Sequence, residues 1–191
     1  MAKPFMKHSL RKALVRAPLS VLLLCSAPAV AQLLPLGSPE YVSASSGAFE
    51  IFNNDPAAYE AGWELRFAPR RFLLLPRWAP DLIPVAGVMA GSRNILYGYA
   101  GWRMEIPVGE RWVTSGGSAA GIYYRGYSKN LGGALEFRSH VELAYRLPKE
   151  ARVGICLYHL SNGGIFDFNP GSNSLVLTFA ARLRGRQSGP P

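Results

Sequence analysis

Residues 133–147 read GALEFRSHVELAYRL, and the alternation within them decides the fold. Successive side chains on a strand point to opposite sides, so Leu135, Phe137, Ser139, Val141, Leu143, Tyr145 and Leu147 share one face. The other face carries Glu136, Arg138, His140, Glu142 and Arg146. Residues 57–67 repeat the pattern, with Tyr59, Ala61, Trp63, Leu65 and Phe67 opposing Glu60, Gly62, Glu64 and Arg66. A soluble barrel or sandwich would turn the apolar face inward, and a small core has no room for so many bulky aromatics. The inverted arrangement has room: apolar side chains face lipid and charges pair inside. Strands of this length with a dyad repeat are the signature of a transmembrane β-barrel. The barrel must close, because an unpaired backbone edge finds no water partner in the membrane.

Working outward, the chain breaks into eight such runs, at 40–53, 57–67, 82–91, 94–106, 111–125, 133–147, 152–161 and 173–184. Turn-rich punctuation separates them, as in Asn53-Asn54-Asp55-Pro56, Pro148-Lys149-Glu150 and Asn169-Pro170-Gly171. The expected fold class is therefore all-β, an eight-stranded antiparallel transmembrane barrel of the outer-membrane type. Eight strands leave a lumen that side chains fill, which argues against a diffusion pore. The competing fold is a secreted β-sandwich, such as a carbohydrate-binding domain, whose charged faces are simply solvated.

The N-terminus reads as an address. Lys3, Lys7, Arg11, Lys12 and Arg16 precede the apolar run APLSVLLLCSAPAVA, which ends in Ala29-Val30-Ala31, a small-x-small cleavage site. The run is too short for a spanning helix, and Leu24 before Cys25 does not suit lipid attachment. A signal peptide is expected over 1–31, one barrel domain over 32–184 and a disordered tail over 185–191. Removing residues 1–31 leaves sixteen basic against twelve acidic side chains, so the +9 of the whole chain falls to a formal +4. That is too mild for nucleic acid. Cys156 would be the one cysteine left, which excludes an intramolecular disulfide.

The penultimate run places chemistry on the lipid-facing side. In 152–161, Val153, Ile155, Leu157, His159 and Ser161 share the apolar face, while Arg152, Cys156 and Tyr158 point inward. A serine beside a histidine base is the minimum for nucleophilic acyl transfer. In the last run Asn173 falls on the same outer surface as His159, and the hairpin through 162–172 brings the two together. Loop N–H groups or the Asn169 amide would then face an oxyanion. The bland alternatives are an interfacial histidine and an ordinary Ser161-Asn162-Gly163-Gly164 turn. His140 and Cys156 read as interior structural residues, and the carboxylates of 133–147 as lumen ion pairs.

The stretch from about Arg152 to Leu183, with His159, Ser161, Asn162, Gly164 and Asn169, resembles the end of the outer-membrane lipid A 3-O-deacylase family (PagL-like acyloxyacyl hydrolases). The resemblance implies an eight-stranded barrel in the Gram-negative outer membrane that hydrolyses the ester-linked 3-O acyl chain of lipid A. It implies Ser161 as nucleophile, His159 as general base, and the Gly164 N–H and Asn169 side chain as oxyanion donors, with no metal and no cofactor. Lipid A, as part of lipopolysaccharide, is the expected partner, and a homodimer is left open.

The family's best-known pattern has a Glu where this chain has Asn173. Three readings follow: Asn173 orients His159 as Asn does in Cys-His-Asn proteases, Asp167 in the intervening loop supplies the charge as the alternative acid, or the protein is a slow or inactive relative. Outside the enzyme class stands a non-enzymatic structural or adhesion barrel, for which His159 and Ser161 would be dispensable. A lipid-modifying acyltransferase would need a second acceptor site, and no sequence signal marks one. The loop 68–81, with Arg70, Arg71 and Arg77, is expected either to touch lipid A phosphates or to form a basic interfacial turn.

Overall fold

A computed structural model describes residues 37–52 and 58–183. The segments expected as signal peptide and C-terminal tail lie outside the described residues. Eight strands form one closed barrel: β1 (Tyr41–Phe49), β2 (Ala58–Arg66), β3 (Ile83–Gly91), β4 (Ile95–Val108), β5 (Trp112–Tyr124), β6 (Leu135–Arg146), β7 (Arg152–Ser161) and β8 (Ser172–Arg182). Each strand runs antiparallel to its neighbours, and β1 pairs with β8 from Tyr41↔Arg182 to Phe49↔Ser174. Closure removes the sheet edge, as an apolar solvent requires. The expected strands are all present, with ends moved by a few residues. β4 runs on to Val108 because a tight turn at Gly109, with φ of +64°, returns the chain directly into β5.

The face assignment follows the alternation. Glu136, Arg138, His140 and Glu142 are buried inside the barrel, whereas Val141 and Leu143 lie on the outer wall. Trp63, Tyr59, Ile122, Leu177 and Phe179 are likewise exposed, so the outside is apolar and the inside polar. Lipid is the solvent that suits such a wall. Aromatic side chains gather towards both ends of the band, with Tyr59 and Tyr124 at one and Trp112, packed edge-on against Tyr145, at the other.

The lumen is filled by an ion cluster. Arg103 bonds Glu142 and Ser115, and reaches Glu64 at 3.1 Å. Arg66 joins Glu64 at 3.0 Å and Glu142 at 3.3 Å, and Thr178 donates to Glu142 at 2.5 Å. Glu105 extends the cluster to Arg152 at 2.6 Å. A second layer lies behind the outer face of β7, where Tyr158 donates to Glu60 at 2.6 Å and the Arg138 guanidinium sits 4.3 Å from the Tyr158 ring. Cys156 and His140 are buried in this interior, as their alternation requires.

Two charges that satisfy each other in a dry lumen are costly to separate, because removing one strands the other. Glu142→Leu leaves both Arg103 and Arg66 short of a carboxylate. It should lower stability by about 3–5 kcal/mol, read as an earlier midpoint of urea unfolding from lipid vesicles followed by tryptophan fluorescence.

Candidate active site

The site forms where β7 and β8 leave the membrane-facing wall. In the register of these strands His159 is directly opposite Asn173, and their outward positions make the side chains neighbours. His159 Nδ1 lies 3.0 Å from Asn173 Oδ1. With the amide oxygen as acceptor, Nδ1 carries a ring proton, and in the neutral ring that tautomer leaves the lone pair on Nε2. The main chain of Asn173 is held in turn, since its backbone carbonyl accepts from the Ile51 N–H at 3.1 Å.

Gly171 decides which way the ring leans. Continued past Leu160↔Ser172, the β7–β8 register brings Gly171 across from Ser161. A Cβ built on Gly171 would stand 2.6 Å from His159 Cε1 and 3.0 Å from Nε2. The Nε2 edge therefore lies over Gly171, beside the position of Ser161, and any larger residue would displace it. The φ of +61° at Gly171 also disfavours a side chain.

Ser161 itself is half-buried and pairs across β6 with Phe137, while Ser139 stands opposite His159. Ser139, Val141, Leu157, His159 and Asn173 border a shallow groove on the outer wall. Val141 and Leu157 give it an apolar side, Ser139, His159 and Asn173 a polar one, and it opens towards the lipid-facing side of the barrel.

Asn162 organises the loop that follows. It is fully buried, and each of its polar groups has a partner. Its Nδ2 donates to the carbonyls of Leu131 at 2.9 Å and Phe168 at 2.8 Å, and its Oδ1 accepts the Gly164 N–H at 2.9 Å. Its own N–H donates to Asn169 Oδ1 at 3.1 Å. One side chain thus ties the β5–β6 loop to both ends of the β7–β8 loop. Gly132 makes the closeness feasible: it has φ of +103°, and a Cβ there would overlap the Phe168 carbonyl oxygen.

The structure brings together His159, Ser161, Asn173 and the loop bearing Gly164 and Asn169. Asp167 is exposed in that loop, and Asn173 rather than Asp167 meets the imidazole. Sequence reading noted Asn162 but not that it binds Leu131 and Phe168, because nothing in a Ser-Asn-Gly-Gly turn says which remote loop its amide will meet. Arg70, Arg71 and Arg77 fall away from the site. Their loop joins β2 to β3 at the barrel end that holds Tyr41 and Arg182, and Ser161 lies at the other end of β7. Ten residues of strand separate the ends by roughly 30 Å at ~3.3 Å per residue. These arginines and Ser161 cannot grip one headgroup.

Because the Asn162 side chain sets the loop through three hydrogen bonds, Asn162→Ala should leave the barrel intact while freeing residues 162–171. Hydrogen exchange should show lost protection at the Gly164 and Ile165 amides and unchanged protection in β4 and β5.

Comparison with known proteins agrees with this picture. The family described as "Lipid A 3-O-deacylase (PagL)" matches residues 57–182, from the start of β2 to the end of β8. The Lipid A deacylase PagL of Bordetella bronchiseptica is 33% identical over 110 residues, a match covering 52% of this chain and 61% of that protein. The chain thus spans somewhat less than two thirds of that relative's length. The crystal structure of the outer membrane enzyme PagL superposes with a TM-score of 0.57 at 19% identity, over 75% of this chain and 99% of that one, a likeness of fold. With the match to the family running through seven of the eight strands and every residue of the site, the chain belongs to the lipid A 3-O-deacylase (PagL) family.

Proposed function

We propose that the protein is an outer-membrane serine esterase that hydrolyses the ester-linked 3-O acyl chain of lipid A. The observation that carries this reading is the His159–Asn173 pair on the lipid-facing wall, with the Nε2 edge of the imidazole turned to the position beside Ser161. A substrate that is itself a membrane lipid reaches such a wall by lateral diffusion, and the groove beside His159 is open to its acyl chain.

In the proposed reaction Ser161 Oγ attacks the ester carbonyl carbon while His159 Nε2 takes the hydroxyl proton. Asn173 Oδ1 holds Nδ1–H, so the ring keeps the tautomer that can act as base. Charge developing on the carbonyl oxygen is met by the Asn169 amide and by the Gly164 N–H, which in the resting site is held on Asn162 Oδ1 and exchanges that partner for the oxyanion. Collapse breaks the C–O bond to the sugar, and His159 gives its proton to the departing sugar oxygen, which leaves as the 3-hydroxyl. Water, deprotonated by the same Nε2, then attacks the acyl carbon; the bond to Ser161 Oγ breaks, and His159 returns the proton to Oγ. The products are a free fatty acid and lipid A with its 3-hydroxyl exposed.

Asn173 supports the imidazole with a dipole where a carboxylate would supply a full charge. The imidazolium formed in each step is therefore less stabilised than in a Ser-His-acid triad, with Asn173 rather than the exposed Asp167 beside the ring.

Mass spectrometry of lipid A from cells making the protein tests the reading. Wild type should remove one hydroxyacyl mass and Ser161→Ala should not. Unchanged lipid A alongside a folded, membrane-inserted wild type would favour the non-enzymatic barrel instead. Asn173→Ala should slow turnover roughly 10²-fold by loosening the general base, while Asn173→Glu should raise it, both measured as deacylation rates in detergent micelles.

A further inference from the structure

The β2–β3 connection is the unusual turn of this barrel. It lies at the same end as Tyr41 and Arg182, where the other two strand-to-strand turns cover only 109–111 and 147–151, yet it runs from 67 to 82. Turns at the terminus-bearing end of outer-membrane barrels are ordinarily short.

The loop is a built structure rather than slack chain. Arg70 pairs with Leu82 through both backbone hydrogen bonds, at 2.7 and 3.0 Å, which closes its base. Inside it, the Arg71 guanidinium donates to the carbonyls of Pro76 at 2.7 Å and Ala79 at 2.6 Å and to Asp81 at 3.3 Å. Two tight turns follow, closed by the Leu75 N–H on Phe72 and the Ala79 N–H on Pro76. Pro69, Pro76 and Pro80 restrict the backbone further.

What this scaffold displays is apolar. Leu73 is 93% exposed, Leu74 83% and Trp78 85%. Arg70 and Arg77 are exposed beside them, and the one carboxylate of the loop, Asp81, is held by Arg71. The patch continues the lipid-facing wall, since Leu65 precedes the loop on the outer face of β2 and Trp63 lies further along it.

We propose that this loop is an interfacial anchor, with Leu73, Leu74 and Trp78 seated among the acyl chains and Arg70 and Arg77 on the anionic phospholipid headgroups of the leaflet at the terminus-bearing end. Three observations commit it to lipid. Tryptophan beside arginine is the pairing that suits a boundary apolar on one side and charged on the other. The net positive charge complements anionic headgroups. The apolar surface is also continuous with a wall that already faces lipid. The anchor would fix the depth and tilt of the barrel, and so the level at which the groove beside His159 meets the opposite leaflet. It rests on the transmembrane barrel and is independent of the esterase reading.

The test uses the whole barrel in phospholipid vesicles, with Trp63, Trp102 and Trp112 changed to Phe so that Trp78 is the sole reporter. Correct folding is checked by the heat-modifiable gel mobility typical of barrels. Phosphatidylcholine brominated near the headgroup should quench most Trp78 emission, and aqueous acrylamide should quench little. Arg70→Gln with Arg77→Gln should weaken bromolipid quenching in vesicles containing phosphatidylglycerol and leave it unchanged in those lacking it. Trp78 open to acrylamide and untouched by bromolipid would overturn the proposal. So would Trp78 shielded from both quenchers, which would mean that protein covers the loop. Should the substitutions unfold the barrel, a spin label on Leu74→Cys in a Cys156→Ser background supplies the same depth reading by collision with oxygen and with a water-soluble nickel complex.

Discussion

Glu142 meeting Arg103 and Arg66 inside a closed ring of strands is the interaction on which the rest of the molecule depends. Buried ions are tolerated only when each is matched, and here the matching is shared among side chains from β2, β4, β6 and β8. Because these partners come from strands around the whole circumference, the cluster holds the sheet closed as well as filling it. With the lumen occupied by Arg, Glu and Tyr side chains, the proposed chemistry on a lipid belongs on the outer wall.

The proposed placement of an active site on a lipid-facing wall has unusual physical consequences. The wall offers few polar partners, so those that His159 and Asn162 find are near neighbours on the adjacent strand or in nearby loops. His159 takes Asn173 from the facing position of β8, and Asn162 turns inward to find carbonyls in two loops. The low dielectric of the surroundings strengthens those hydrogen bonds and makes an unsatisfied one expensive. It also means that the amide of Asn173, lacking a net charge, is cheaper to place on the lipid face than a carboxylate. In the proposed reaction the same amide gives less support to an imidazolium, so the lower cost of burial comes with weaker assistance to His159 as base.

Glycine marks the places where this economy of space is tightest. Gly171 leaves room for the imidazole edge, and Gly132 lets the β5–β6 loop approach the Phe168 carbonyl. Neither glycine touches the reacting atoms in the proposed chemistry, yet each determines where a neighbouring group can stand. The loop at the far end of the barrel uses different means, with arginine and proline building a rigid display of leucine and tryptophan.

Much of this was legible in the order of residues alone. The alternation of 133–147 and 57–67 determined that charge goes in and hydrocarbon goes out, because the two-residue period of a strand leaves no other assignment. The same period put His159, Ser161 and Asn173 on the outer surface, and counting turns gave eight strands. Sequence could not say that Asn162 reaches Leu131, since pairing between loops some thirty positions apart depends on how the strands between them stagger. It could not choose between Asn173 and Asp167 beside the imidazole, which the β7–β8 register decides. Counting antiparallel strands already puts loop 68–81 at the end opposite the β7–β8 loop, but it could not show that Arg71 turns inward onto Pro76, Ala79 and Asp81. Local periodicity is written into the chain; register and the meeting of distant loops exist only once the barrel has closed.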